Sequence, residues 1–429
     1  MYQYEKPEQE ADFDLSGEQS NLYTQPRVLE AYWSDGEGNR ITARQPNTQP
    51  SVYLRTQNIT LGSTVQIQIS DWDDALDPDD GFGTFDVVVG PNGIIEQRVP
   101  RNFVLSSRHE DVNELYFQLS FERNGAYWES AYYPESTNEY LKTSVIDLLP
   151  QFMREINMPR GALYMQTWMD RPANNNAKNV DPVMGMATMD YILSFERGRA
   201  VYDGIFAKEL WSTKNAQFLF RRRIAQMIFD KVISIPDEVG QEAAFGVTDD
   251  SPIHYEDKRI PTFHKYQIQR KGFEQDEWND PLDDFYAGAG NFTFYVIPFG
   301  TVKKSSNDNW KFVVDEVGVY TGDLFDFNGS QTLGYWSEAN RDATKNLWGG
   351  NLYPSYQLLN NGDFREWRDN HNMGGDYYMY SDIIRTPLND PMTFELTSEE
   401  YERYNDMMKL NGKKLQEIGK PNQKPAFGE

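Results

Sequence analysis

A chain of 429 residues is long enough for two or three domains with separate buried cores. It carries 26 Tyr, 25 Phe and 10 Trp but no Cys, so it has ample aromatic area for packed interiors, while disulfides, thiol nucleophiles and cysteine-held zinc or iron–sulfur centres are excluded. A formal charge of −25 repels phosphate backbones and anionic headgroups, which argues against nucleic acid as a partner of the whole molecule.

Residues 1–26 hold six acids against one lysine and no apolar run, which reads as an acidic flexible tail and not as a Sec signal peptide. No stretch reaches the ~18 apolar residues of a membrane span, so a protein made in the cytoplasm with no transmembrane segment is expected. From Arg27 the chain alternates: Val28 to Trp33, Ser51 to Arg55, Thr64 to Ile69, Phe85 to Val89 and Leu115 to Phe121, with turn clusters such as Asp35-Gly36-Glu37-Gly38-Asn39 between. Period two with turns about every ten residues predicts one antiparallel β-sandwich over 27–130. Within it, Asp71, Asp73, Asp74, Asp77, Asp79, Asp80 and Asp86 read as a solvated acidic loop, with calcium as the alternative use of so many hard oxygens.

Around Thr143 the period lengthens. Val145, Leu148, Leu149, Phe152, Met153 and Ile156 share one helical face ending before Pro159, and a second helix is predicted over Asn215 to Val232. The run Arg221, Arg222 and Arg223 in that helix reads as a solvated face pairing with acids, or else as an anion site. Phe292, Phe294 and Val296, a polar Lys303–Asn309 turn, then Trp310, Phe312 and Val314 predict a long hairpin. Thr397 with Glu400 forms a capping box for a last helix, and Leu396 and Tyr401 are placed for a hydrophobic staple. The predicted fold class is α+β: the sandwich, a larger mixed α+β domain over 131–395 containing the long β-hairpin, and a C-terminal helix and flexible tail over 396–429.

His109, His254, His264 and His371 show no metal-ligand spacing, and neither a phosphate-binding glycine loop nor a Gly-x-Ser-x-Gly elbow is present. No cofactor is specified, and the use of a metal stays open. Two stretches are dense in polar and aromatic groups, Gly318 to Gly329 and Asn361 to Tyr377. In the first, Asp323 and Asp326 flank a strand end, where paired carboxylates can share a proton or hold a metal. In the second, Arg365 and Arg368 stand one helical turn apart, where they can clamp a carboxylate or phosphate, and His371 and Asp376 complete the catalytic candidates. The competing reading is structural: Asp326-Phe327-Asn328-Gly329 as a turn, and Gly374-Gly375 as the re-entry into a strand at Tyr377.

Those stretches, with Met158-Pro159 through Trp168-Met169-Asp170-Arg171-Pro172, Met189-Asp190-Tyr191 and Leu333-Gly334-Tyr335-Trp336, resemble an uncharacterised proteobacterial family commonly encoded beside type VI secretion genes. The resemblance spans about 150–390. It implies a cargo effector, an antibacterial toxin secreted by the type VI system into a neighbouring cell, with a spike or tube component and a cognate immunity protein as partners. The alternative is a non-catalytic adaptor of the same apparatus. The N-terminal segment, with Ala31-Tyr32-Trp33-Ser34-Asp35 and Thr56-Gln57-Asn58, is similar to immunoglobulin-like modules that travel with this machinery, which implies docking. Finally, the hairpin leading into Asp323-Leu324-Phe325-Asp326 resembles the active strand of colicin M-type bacteriocins, hydrolases of the lipid-linked peptidoglycan precursor. Phe325 replaces that family's Tyr, and Thr332-Leu333 stand where its His-Arg pair falls, so His371 or Arg365 would have to supply the base and the cation.

Overall fold

The structure is a computed structural model that describes residues 25–46, 48–72, 81–100, 113–123, 125–275, 280–305, 309–337, 342–344 and 356–418. The acidic tail, His109, most of the acid-rich loop, the middle of the Lys303–Asn309 turn and the last residues of the chain lie outside them. The chain is a mixed α+β protein with several sheets. It divides into two units, one from Met1–Leu148 with Trp336–Arg341 and Trp348–Gln357, the other from Leu149–Tyr335 with Asp342–Leu347 and Leu358–Glu429.

The first unit contains, in order, β1 (Arg27–Ser34), β2 (Ser51–Gln57), β3 (Thr64–Asp71), β4 (Gly81–Val88), β5 (Ile94–Arg98), β6 (Asn113–Arg123), β7 (Ala126–Tyr133) and β8 (Leu141–Thr143). One antiparallel sheet runs β1-β2-β5 and another β4-β3-β6-β7, with β8 also on β6, so antiparallel pairing continues past residue 130. The alternation seen in the sequence sets which side chains go inward: Val65, Ile67 and Ile69 are buried between exposed Gln66 and Gln68. They meet Trp33, Leu54 and Phe117 in one apolar core fed by both sheets. Trp33 packs edge-on against Phe117 at 5.0 Å while its indole N–H donates to the Leu115 carbonyl at 3.0 Å, so its polar atom is satisfied inside the core. Asp71 is buried and accepts from the Asn113 amide and the backbone N–H groups of Trp72 and Glu114, which makes this member of the acid-rich run a structural bracket. Asp86 accepts from Gln66 across the pair of strands.

The second unit contains, in order, α1 (Leu149–Glu155), α2 (Pro159–Met169), β9 (Val183–Met184), α3 (Met189–Ser194), α4 (Glu196–Ala207), α5 (Lys214–Phe229), β10 (Glu242–Phe245), β11 (Pro252–Tyr255), β12 (Lys258–Pro261), β13 (Gln269–Phe273), α6 (Asp284–Ala289), β14 (Phe292–Lys304), β15 (Asn309–Phe325), α7 (Asn361–His371), β16 (Tyr377–Tyr380), β17 (Ile384–Thr397) and α8 (Ser398–Ile418). Its main sheet runs β10-β14-β15-β16-β9, with β13 also on β14 and β17 also on β15; β9 on β16 is the parallel pair. The expected hairpin is the spine of this sheet, paired from Thr293–Gly322 to Lys304–Trp310. Phe292, Phe294 and Val296 are buried on one face, whereas Tyr295, Tyr320 and Tyr380 lie together on the other.

Thr213 caps α5 by accepting from the Ala216 N–H. The arginine run in α5 does not form a strip. Arg221 donates to the Glu395 carbonyl and pairs with Glu400, Arg223 reaches the Gln267 carbonyl and Tyr255, and Arg222 is exposed. The capping box before α8 forms as expected: Glu400 N–H donates to Thr397 Oγ1 at 3.1 Å, and Thr397 N–H to the Glu400 carboxylate at 3.2 Å. No helix among the described residues is long and apolar enough to cross a membrane.

Candidate functional site

The two stretches dense in polar and aromatic groups converge on α2. Trp168, fully buried, has its ring centroid 4.7 Å from Phe327, 6.0 Å from Phe364 and 5.7 Å from Trp367, while Phe327 and Phe364 stack at 4.0 Å. Gly374 sits at φ +93°, and a Cβ there would stand 2.5 Å from the Trp168 ring, so glycine is the residue that lets the chain turn against the indole. The N–H groups of Gly374 and Gly375 then donate to the Arg171 and Trp168 carbonyls at 2.8 and 3.0 Å. This closes the path from α7 into β16.

Asp376 follows that turn and lies inside it. Its Oδ1 accepts from Trp168 Nε1 at 3.0 Å and from Arg368 at 2.5 Å, and the guanidinium lies 5.2 Å from the Trp168 ring centroid. Arg368 and Asp376 are only 5% and 1% exposed, too little to meet a ligand without displacing the packing around them. Arg368 Nε and Asp376 Oδ2 have no hydrogen-bond partner among the described residues. Burial raises the Asp376 pKa; Trp168 and Arg368 oppose the rise, and the charge of Asp326 adds to it.

Arg365 and Arg368 do not form the expected clamp. Arg365 is exposed and donates to the carbonyls of Phe327 at 2.6 Å and Gly329 at 2.9 Å, strapping the Asp326–Gly329 turn onto α7, whereas Arg368 turns inward onto Asp376. His371 ends α7 with its ring stacked on Trp367 at 4.1 Å and Nδ1 donating to the Trp367 carbonyl at 2.9 Å.

Asp323 and Asp326 lie at the end of β15, near enough that the charge of Asp326 raises the pKa of Asp323. The larger cause is burial, which lifts Asp323 well above the usual carboxylate range against a hydrogen bond from the Leu324 N–H. Asp323 keeps part of its surface exposed, yet it also lines a small cavity with Ala187, Ile192, Phe292, Thr321 and Met379. Asp326 accepts from the Asn328 amide at 2.5 Å. Among the described residues, no three His, Asp or Glu side chains are placed to hold a metal. The six candidates thus form one neighbourhood, but its hydrogen bonds mostly serve the turns and packing.

A sequence profile for a family of unknown function, DUF6402, matches residues 145–396, more than half of the chain. The chain belongs to that family. The DUF6402 segment covers the Trp168 hub, the long hairpin and β17 up to Leu396. No curated protein and no solved structure matches the chain.

Two features of the DUF6402 segment carry no motif. On a 3-10 turn at Thr262–Tyr266, His264 is enclosed by Tyr295, Tyr380 and Tyr320 at centroid distances of 4.6, 4.8 and 5.9 Å, and its Nδ1 is 2.8 Å from the Tyr320 hydroxyl. Burial pushes its pKa down to about 3, with Lys258 and Arg223 adding to the fall, so the imidazole is neutral. The other feature is a groove of about 700 Å³ on the main sheet, lined in part by Ala244, Phe299, Thr301, Asp315, Glu316 and Arg385. It lies where the register breaks on two adjacent strands, β15 between Val314 and Glu316, opposite the consecutive Phe299 and Gly300 of β14, and β17 between Pro387 and Met392. The sequence signal is a slip in alternation, from Phe312 and Val314 to Val317 and Val319.

Proposed function

We propose that the chain is a non-catalytic binding protein, an adaptor of the type VI secretion apparatus, beside whose genes the family it resembles is commonly encoded. The observation that carries this reading is the buried set Trp168, Arg368 and Asp376. The residues that most resemble catalytic machinery in the sequence are turned onto one another beneath aromatic rings. A general acid, a base or a phosphate clamp needs an open approach to its substrate, and Arg368 and Asp376 have almost none. The colicin M-like reading is further weakened because Arg365 holds backbone carbonyls and His371 is stacked on Trp367, so neither is directed at Asp326.

In this proposal the first unit, with its two antiparallel sheets over one core, is an immunoglobulin-like docking module for a spike or tube component. The protein is made in the cytoplasm and works where the apparatus assembles. The test is growth of a bacterium producing the full chain with and without a periplasmic export signal. An adaptor leaves growth unchanged in both compartments. Killing that disappears in Asp326→Ala would overturn the proposal and restore a toxic effector.

A further inference from the structure

A β-bulge commonly re-aims one side chain, but in the second unit the adjacent strands β15 and β17 both carry residues outside the ladder at one level. On β15 the residue left over is Asp315, skipped in the ladders to both β14 and β17, and it lines the groove of about 700 Å³ as an exposed residue; on β17 Leu388 to Pro391 are skipped beside it. That volume suits a small organic ligand. Phe299 lies buried beneath the groove, and the chain approaches it closely because Gly246, at φ +143°, has no side chain; a Cβ there would stand 2.1 Å from the Phe299 ring. Val232 and Pro387 add apolar wall.

The charges in the groove are unequal. Glu316 is already paired with Arg385, whose guanidinium carbon stands 4.4 Å above the Phe299 ring. The protein thus fills one carboxylate-and-aromatic corner with its own cation. Asp315 offers a second carboxylate in the same groove, with no cation or hydrogen-bond donor on it among the described residues. We propose that this groove binds an organic cation, an ammonium or guanidinium group on an aliphatic stem, with the charge on Asp315 and the stem along the exposed Val232 and Pro387. Two sources present this chemistry, a free polyamine or the Lys or Arg side chain of a protein. The site stands on the groove itself and would persist even if the chain were a toxin.

The test is calorimetric titration of the full chain at low salt with 1,5-diaminopentane and, separately, with N-acetyl-arginine amide; 1-pentanol and hexanoate serve as uncharged and anionic controls. We expect one saturable site per chain for at least one of the cations and none for the controls. Preference for the diamine indicates a polyamine, and preference for the arginine amide a protein side chain. Asp315→Asn should weaken binding about tenfold, the loss of one charged contact. Ala244→Trp, which fills the groove from an exposed position on β10, should abolish it. Both positions are exposed, so circular dichroism and melting temperature should match the parent chain. Absence of saturable binding by either cation, equal binding of 1-pentanol, or unchanged affinity in Asp315→Asn would each overturn the assignment. The growth assay is independent of every one of these results.

Discussion

Acidification should destabilise the second unit through a single imidazole. His264 is neutral in the fold because burial among three tyrosines pushes its pKa from 6.5 to about 3. In the unfolded chain the same ring takes up a proton near its ordinary pKa. The folded pKa is the lower one, so this stability is fully present above about pH 6.5 and is lost as pH falls toward about 3. Between about pH 7.5 and about pH 4 the linkage amounts to about 3 kcal/mol, a large part of a typical domain's stability. Other titrating groups also respond over this range, so the informative quantity is the difference from a variant. His264→Gln cannot titrate, and its amide can still meet the Tyr320 hydroxyl that Nδ1 now holds at 2.8 Å. Urea unfolding of both proteins at the two pH values should show the parent losing about 3 kcal/mol more than the variant on acidification. Parallel losses would refute the reasoning, as would a His264 ring signal in NMR that titrates near pH 6.5.

Asp323 should give the opposite slope. Its folded pKa is raised, so the stability tied to its proton is present at low pH and is lost as pH rises above the ordinary carboxylate value. Asp323→Asn should therefore melt higher than the parent at about pH 8, with the gap closing toward about pH 4; a gap that does not change with pH would contradict this. Gly374→Ala should cost roughly 2 kcal/mol or more in unfolding free energy, because both its φ of +93° and the Trp168 ring 2.5 Å away oppose a side chain. Arg365→Ala should lower the melting temperature only slightly, roughly 1 kcal/mol of stability, while hydrogen exchange in the Asp326–Gly329 turn increases.

Elements held by local periodicity were legible in the sequence, and contacts across the fold were not. The hairpin shows in Phe292, Phe294 and Val296, and the start of α8 shows in Thr397 and Glu400, because both signals lie within a few residues. The Trp168 hub was visible as a density of unusual residues, but its central bond joins positions 208 apart, which no spacing rule reaches. The arginine clamp fails for a specific reason. Residues three apart on a helix are neighbours, yet here the boundary between the packed and the solvent face of α7 runs between Arg365 and Arg368. His264 carried no signal, since its cage is assembled from β14, β15 and β16 around a short turn. The groove did carry one, in the slip from Val314 to Val317, which is how a bulge appears in an alternating pattern.

The claim that the chain's most chemical-looking residues are architecture can be tested by a double-mutant cycle on Arg368 and Asp376. Arg368→Met leaves a buried carboxylate without its cation, and Asp376→Asn leaves a buried cation without its carboxylate while keeping an acceptor for Trp168. Each single variant should lose roughly 3–5 kcal/mol of unfolding free energy, and the double variant should recover most of it, because the uncompensated charge is then gone. Single variants as stable as the parent chain would contradict the claim and return both residues to the list of groups available for a substrate.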